Sequence, residues 1–304
     1  MKEQQTFDVI IIGGSYAGLS AAMALGRSLR QVLIIDGGLP CNRQTPHSHN
    51  FLTQDGVAPR EIADLGKSQV LQYDTVRFHN DTAVNGRKSL AGFEIETQSG
   101  RTFMAKKLIF ATGLRDIMPD IPGFAECWGI SAIHCPYCHG YEYHGQQTGI
   151  LANGDAAHHY ASLVSNLTRD LTVLTNGKPS FTPDQEAHLA KQHIQVVAKE
   201  VGHIDHSKGQ IRQVVFKDGS AMPFTALYAG LPQEQHSDIP GQLGCALNER
   251  GLLTVDDLQK TTVDGVFAAG DNSSMFRSVA FAVSTGNLAG AACNKELAEE
   301  RFLN

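Results

Sequence analysis

A β-branched run from Asp8 to Ile12 breaks into Gly13-Gly14-Ser15-Tyr16-Ala17-Gly18 and passes into a helical stretch from Leu19 to Ser28. No other feature restricts the fold as tightly. A second strand follows at Val32 to Ile35, and Asp36 ends it about 20 residues beyond the turn, which is the spacing of a dinucleotide fingerprint. The chemistry follows from the turn. Gly13 permits the tight reversal, the helix N-terminus offers amide N–H groups and a positive dipole end to a pyrophosphate, and Asp36 can accept from ribose hydroxyls. Ser15 stands where a glycine is usual. Its Cβ crowds the pyrophosphate, while its hydroxyl can donate to a phosphate oxygen. Ser15, Ala17 and Gly18 complete the candidate contacts with Gly13.

The same plan recurs downstream. A polar loop from Gly37 to Asp55 and a helix from Pro59 to Tyr73 lead to a hairpin, Phe93 to Thr97 and Thr102 to Ala105 around Ser99-Gly100. The apolar strand Leu108 to Ala111 then closes a first half-domain. Thr148 to Ala152, a helical stretch to Leu167 and Leu171 to Leu174 form a second βαβ unit. Thr182 and Pro183 supply an N-cap and a first-turn proline for a helix through Lys191, and Asp218-Gly219 marks another hairpin. Beyond Gln242 the pattern changes again, through Gly251 to Thr254 and Val266 to Ala269, to a final helix from Ser278 to Glu299.

The expected fold is therefore α/β, with two dinucleotide-binding, Rossmann-like, three-layer domains, the second inserted in the first. Residues 1–115 begin the outer domain, 116–243 form the central one, and 244–304 complete the outer. The length of 304 residues suits two cores. A net charge of -6 without a Lys/Arg block argues against nucleic acid as a partner. The polar start from Met1 to Thr6 has no basic region or signal-length apolar core, and no later stretch approaches a membrane span. Cytoplasmic residence is expected.

Six cysteines in a reducing compartment do not suggest a structural disulfide framework. Cys41, Cys127, Cys245 and Cys293 stand alone as expected buried small hydrophobes, whereas Cys135 and Cys138 form a CxxC within His134-Cys135-Pro136-Tyr137-Cys138-His139-Gly140. Pro136 suits a first helical position, so a helix N-terminus would favour the thiolate. A thiolate attacks disulfides at neutral pH. The four residues Cys-Pro-Tyr-Cys also resemble a glutaredoxin active site, and a zinc clasp with His134, His139 or His144 is the other alternative. No second CxxC or spaced His pair completes a tetrahedral set, and no metal is expected.

Near the C-terminus Val266-Phe267-Ala268-Ala269-Gly270-Asp271 resembles the strand that, in two-dinucleotide-fold flavoproteins, ends on an aspartate bound to the ribityl chain of FAD. Ala111-Thr112-Gly113 resembles their chain-reversal segment. Across nearly its whole length the order of motifs resembles the low-molecular-weight thioredoxin reductases. That resemblance implies FAD held by Gly13, Ser15, Ala17, Gly18, Asp36, Ala111, Thr112, Gly113, Gly270, Asp271, Arg277, Ser278 and Val279. It implies that Cys138 faces the flavin and Cys135 exchanges with substrate. A homodimer acting on a small dithiol or disulfide, or on a thioredoxin-like protein, is implied too.

Two departures matter. His139 replaces the acidic residue that such reductases carry after the second cysteine, and an imidazole can act as general base near neutrality. Ala152-Asn153-Gly154-Asp155-Ala156-Ala157 lacks the first glycine of a second fingerprint, and Leu174 to Lys178 lacks the arginines that bind a 2′-phosphate. Losing two charge-assisted contacts of about 1.5 to 3 kcal/mol each weakens binding roughly a hundredfold to ten-thousandfold. NADPH is therefore doubtful as a donor. These departures, with Asn42-Arg43 through His47 and His49 to Gly56, resemble the flavin dithiol oxidases of the holomycin and gliotoxin type. Arg43 and His49 join the candidate flavin contacts on that basis. Oxygen, a pyridine nucleotide or a ferredoxin remains open as second partner, and the non-enzymatic alternative is a flavin-bound redox sensor.

Overall fold

The computed structural model describes residues 6–303; the polar start at residues 1–5 lies outside them. The first sheet begins with β1 (Thr6–Ile12), crosses through helix α1 (Tyr16–Arg27) to β2 (Val32–Asp36), and through α2 (Pro59–Val70) to β3 (Val76–Asn80). It continues in β4 (Ala83–Ser89), β5 (Gly92–Thr97) and β6 (Thr102–Phe110). Strands β3, β2, β1 and β6 are parallel neighbours, and β6, β5 and β4 form an antiparallel meander.

Helix α1 begins at Tyr16 rather than at Leu19, so Gly18 lies within its first turn. Close packing explains why glycine stands there, since a Cβ on Gly18 would lie 1.9 Å from the Gly13 carbonyl oxygen. Strand β6 also departs from expectation, running unbroken through Lys106-Lys107. Both lysines are paired: Lys106 Nζ lies 2.8 Å from Asp8, and Lys107, buried in the strand, donates to Glu296 at 2.9 Å.

A linking strand β7 (Leu114–Asp116) and a short helix α3 (Phe124–Cys127) lead to β8 (Ala132–Ile133), the one-turn helix α4 (Pro136–His139) and β9 (Thr148–Leu151). Then come α5 (Gly154–Val164), β10 (Leu171–Leu174), α6 (Pro183–Lys191) and β11 (Gln195–Val197). A meander β12 (Val201–Ser207), β13 (Gln210–Phe216), β14 (Ala221–Pro223) precedes β15 (Ala226–Ala229) and the return strand β16 (Gln233–Gln235). The second sheet is parallel, in the order β11-β10-β9-β15-β8, and the meander stands beside it. Both halves thus repeat one design. The chain leaves and re-enters the first unit through β7 and β16, which pair antiparallel.

After α7 (Ile239–Gln242), strand β17 (Val266–Ala268) closes the first sheet by pairing parallel with the C-terminal half of β6. The expected extended segment at Gly251 to Thr254 makes only an isolated bridge, Leu247 to Leu253. Helix α8 (Val279–Leu303) then lies against α1. Their approach depends on glycine, because a Cβ on Gly286 would sit 2.1 Å from the Ala17 carbonyl oxygen. Small residues here let two helices cover one face of a sheet whose own residues, Val9, Ile11, Ile34 and Ile109, are fully buried. Ile10, Leu108 and Phe110 fill the opposite face.

Candidate redox-active site

The residues expected to hold FAD converge around the C-terminal ends of β1, β2, β6 and β17. Gly13 takes a φ of +105°, and a Cβ on it would lie 2.2 Å from the Ala111 carbonyl oxygen, so the turn after β1 and the reversal after β6 touch backbone to backbone. Asp36 is held toward the turn, one carboxylate oxygen accepting from Gly14 N at 2.9 Å and the other from Gly38 N at 3.2 Å. Ser15 is the N-cap of α1 but makes no side-chain cap bond, leaving its hydroxyl and the first helical amides available to a phosphate.

Gly270, at a φ of +84°, brings the end of β17 against Ala17 and donates its N–H to Thr285 Oγ1 at 3.0 Å. Beyond it Asn272 is fully buried and donates to Phe110 O at 2.9 Å and Thr112 Oγ1 at 3.3 Å. Its Oδ1 has no partner among the described residues. Burial pushes the Asp271 carboxyl up, against the opposing pull of Arg277, whose Nε donates to it at 3.2 Å. Gly113 turns at a φ of +63°, and Ser278 Oγ accepts from Phe281 N at 3.1 Å at the start of α8, which begins at Val279. A buried unpaired amide oxygen, a poorly compensated carboxylate and open helix amides suit the ribityl and pyrophosphate groups of FAD.

Cys135 and Cys138 are joined as a disulfide, and Cys135 caps α4, its sulfur accepting from Cys138 N at 3.1 Å. Burial holds His139 below the usual histidine range; Glu142 opposes that shift and His49 adds to it. His139 is therefore neutral near pH 7 and can accept a proton. Its neighbour His134 is pushed down to about 4 by burial, and the charge of Arg277 adds to the shift. His134 stacks at 5.8 Å on Trp128, whose Nε1 donates to Asp116 at 3.1 Å, and Asp116 takes Arg277 at 2.7 Å. A continuous buried chain thus joins the redox pair to the wall that carries Asp271.

Sequence reasoning missed Asp116, Trp128 and Asn272. Cys41 requires correction: it is exposed, whereas Cys127, Cys245 and Cys293 are buried as expected. It sits on the irregular loop after β2, with its thiol turned toward Arg277. Arg43 is exposed and donates to Pro40 O at 3.2 Å. His49 lies between Asp55 at 3.6 Å and Glu142 at 3.4 Å, on the CxxC side.

The second fingerprint is closed upon itself. Asn153, next to the Ala152 that stands in place of the first glycine, accepts through Oδ1 from Gly154 N and from Ser180 N, each at 2.9 Å, and donates to Lys178 O at 2.9 Å. The loop after β10 is thereby laced over the start of α5, and Asp155 adds a carboxylate to its first turn. Gly154 N is thus already engaged where the pyrophosphate of a pyridine nucleotide would bind. Among the described residues no group of three or more His, Cys, Asp or Glu is placed to hold a metal ion, and no helix is long and apolar enough to cross a membrane.

Two βαβ-built units with a CxxC between β8 and β9 of the second define a disulfide oxidoreductase of the two-dinucleotide-fold class. Residues 7–286 match the pyridine nucleotide-disulphide oxidoreductase family, and the chain belongs to that family. It is 33% identical to thioredoxin reductase tcpT of Claviceps purpurea over 98% of this chain and 96% of that one. An oxidoreductase from Agrobacterium tumefaciens superposes with a TM-score of 0.91 at 37% identity, covering 97% of this chain and 99% of its own. The structure of HlmI superposes at 0.92 with 28% identity, covering 100% and 95%. The protein is a thioredoxin reductase-like, FAD-dependent dithiol/disulfide oxidoreductase.

Proposed function

We propose that this enzyme oxidises a small dithiol to its disulfide through Cys135 and Cys138, with flavin rather than a pyridine nucleotide as the next carrier. The observation that carries this reading is the lacing of Asn153 across the second fingerprint, which obstructs the donor that would drive the reverse direction. A substrate thiolate attacks the Cys135 sulfur, the Cys135–Cys138 bond breaks, and Cys138 leaves as thiolate. The second substrate thiol then attacks the mixed disulfide and releases Cys135. Substrate leaves as a disulfide, and the enzyme keeps the two electrons as a dithiol pair. His139, neutral near pH 7, takes the proton that the attacking thiol gives up.

When bound, FAD would supply a two-electron acceptor beside the reduced cysteines, with molecular oxygen as the proposed terminal acceptor. Gly13, Ser15, Ala17, Gly18 and Asp36 hold its adenosine and pyrophosphate side in this reading. Ala111, Thr112, Gly113, Gly270, Asp271, Arg277, Ser278 and Val279 hold the ribityl and flavin side. The outer domain comprises residues 1–115 and 244–304 and the central one 116–243, meeting at the paired strands β7 and β16. The resemblance in motif order supports a homodimer, and the cysteine usage supports cytoplasmic residence.

The test is anaerobic reduction of the bound flavin with NADPH, NADH and a dithiol in parallel. Bleaching by the dithiol alone is expected. Bleaching by NADPH at micromolar concentration with none by dithiols would return the chain to the reductase direction.

A further inference from the structure

Beside the redox pair an open cleft of about 380 Å³ is lined by His49, Asn50 and Asp55 from one side and by Tyr137, Tyr141 and Glu142 from the other. We propose that this cleft receives the substrate and selects a small, uncharged or cationic dithiol held against the Tyr137 and Tyr141 rings, while Asp55 and Glu142 turn anionic dithiols away. The inference rests on the dithiol-oxidising function proposed above.

Location is the first support. Tyr137 lies between the two cysteines in sequence, so one wall of the cleft is part of the CxxC turn itself. Exposure is the second. Tyr137 and Tyr141 are 70% and 75% exposed, two large aromatic side chains left open next to a reactive pair. Tyr141 is braced by the His144 ring, stacked at 5.0 Å, so it offers a fixed face rather than a mobile one. Fixed aromatic faces bind planar or cyclic groups at low entropic cost.

The opposite wall is preformed. Ser48 N donates to Val57 O and Gly56 N to Ser48 O, each at 2.8 Å, and Asn50 N donates to Asp55 Oδ1 at 2.8 Å. His47 Nδ1 lies 3.0 Å from Gly56 O. His49 is thereby set between Asp55 and Glu142, at 3.6 and 3.4 Å, and bridges the two walls. Two carboxylates against one imidazole leave the cleft short of positive charge. A substrate carboxylate brought there meets repulsion and no guanidinium or ammonium partner among the lining residues. The volume lies at the lower end of small-ligand sites.

Dihydrolipoamide and dihydrolipoate differ only in an amide against a carboxylate, and they isolate the charge effect. With the FAD-loaded enzyme at low salt, kcat/KM for dihydrolipoamide should exceed that for dihydrolipoate on the order of tenfold, and the gap should narrow as salt rises. Glu142→Gln combined with Asp55→Asn should collapse the ratio toward unity. Tyr137→Ala and Tyr141→Ala, both at exposed positions, should raise KM for dihydrolipoamide without loss of bound flavin. Equal kcat/KM for the two dithiols in the unaltered enzyme overturns the charge selection, as does a ratio that the double variant leaves unchanged. Rapid turnover of a thioredoxin-fold protein with small dithiols inert overturns the cleft as the substrate site. Failure of every dithiol to bleach the flavin is a different result, because it removes the dithiol-oxidising function itself.

Discussion

Arg277, just before α8, reaches the linking strand β7 and grips Asp116, Nη1 to Oδ1 at 2.7 Å and Nη2 to Oδ2 at 3.3 Å. Both side chains are only 8% exposed. Burial pushes the Asp116 carboxyl up, but the guanidinium wins and holds it below the usual range. The same guanidinium orients Asp271 through Nε, so one side chain ties the start of α8 to both the linker and the candidate ribityl contact.

Removing either partner leaves an uncompensated buried charge, and Asp116→Ala or Arg277→Met should each cost about 3 to 5 kcal/mol of stability. The double variant should not recover fully, because Asp271 then stands without its guanidinium. Urea unfolding of the four proteins measures the cycle. Single variants within about 1 kcal/mol of the parent would show the pair to be energetically idle.

The purified protein should be yellow with FAD, and Gly13→Val should abolish that colour. Valine at a φ of +105° is strained, and its Cβ would meet the Ala111 carbonyl oxygen at 2.2 Å. The readout is flavin absorbance per mole of protein after gel filtration, with circular dichroism reporting whether the variant keeps its fold. Retention of full FAD content by folded Gly13→Val would remove this turn from the cofactor site.

The two cysteines should behave differently. Cys138→Ser should end turnover with flavin still bound, while Cys135→Ser should leave a Cys138 thiolate that gives a long-wavelength charge-transfer band with oxidised flavin. Spectra of both variants decide the matter, and a band in the Cys138 variant instead would reverse the two roles.

The parts of this site that sequence revealed are those fixed by local backbone demands. Gly13 is legible because its turn needs a positive φ, and Asp36 because it ends a strand at a set distance from that turn, whereas Gly270 is legible only through the resemblance of its Ala-Gly-Asp segment. The partners of Arg277 were hidden for the opposite reason: Asp116 lies 161 positions away and meets it only through tertiary packing. Strand β6 reads in sequence as two pieces, since Lys106-Lys107 interrupts its apolar run, and only the folded chain shows Lys107 buried against Glu296. The missing glycine at the second fingerprint was visible, but the cross-links from Asn153 to Lys178 and Ser180 were not.

Acid should weaken this protein through His134. Burial pushes that imidazole down to about 4, while in the unfolded chain it titrates near its ordinary 6.5. Between those values the unfolded state binds the proton and the folded state does not, so stability rises with pH across the window and is complete above it. The difference amounts to about 3 kcal/mol lost on going from pH 7 to pH 4. His134→Gln should flatten this part of the profile, read as urea midpoints between pH 4 and 7. An unchanged slope would place the acid sensitivity elsewhere.

NADPH should be a poor electron donor, and the reason is structural as well as electrostatic. A dinucleotide pyrophosphate needs open amides at the start of a helix, yet Asn153 Oδ1 already accepts from Gly154 N and ties Ser180 N into the same cluster. Asp155 then presents negative charge in the first turn of α5, where an incoming phosphate would lie. Farther along, Asn176 Oδ1 accepts from Val201 N at 2.7 Å, so the position that would need a cation for a 2′-phosphate is engaged in holding the loop to β12. A nucleotide deprived of both anchors must place its nicotinamide by stacking alone, which lowers affinity and effective concentration together. Stopped-flow flavin reduction at matched donor concentrations should therefore be faster with a small dithiol than with NADPH, by on the order of a hundredfold or more. Asn153→Gly, which removes the lacing, should raise the NADPH rate without changing the dithiol rate. Rapid saturation of the unaltered enzyme by micromolar NADPH would mean that the loop opens readily and that the cross-links from Asn153 do not guard the site.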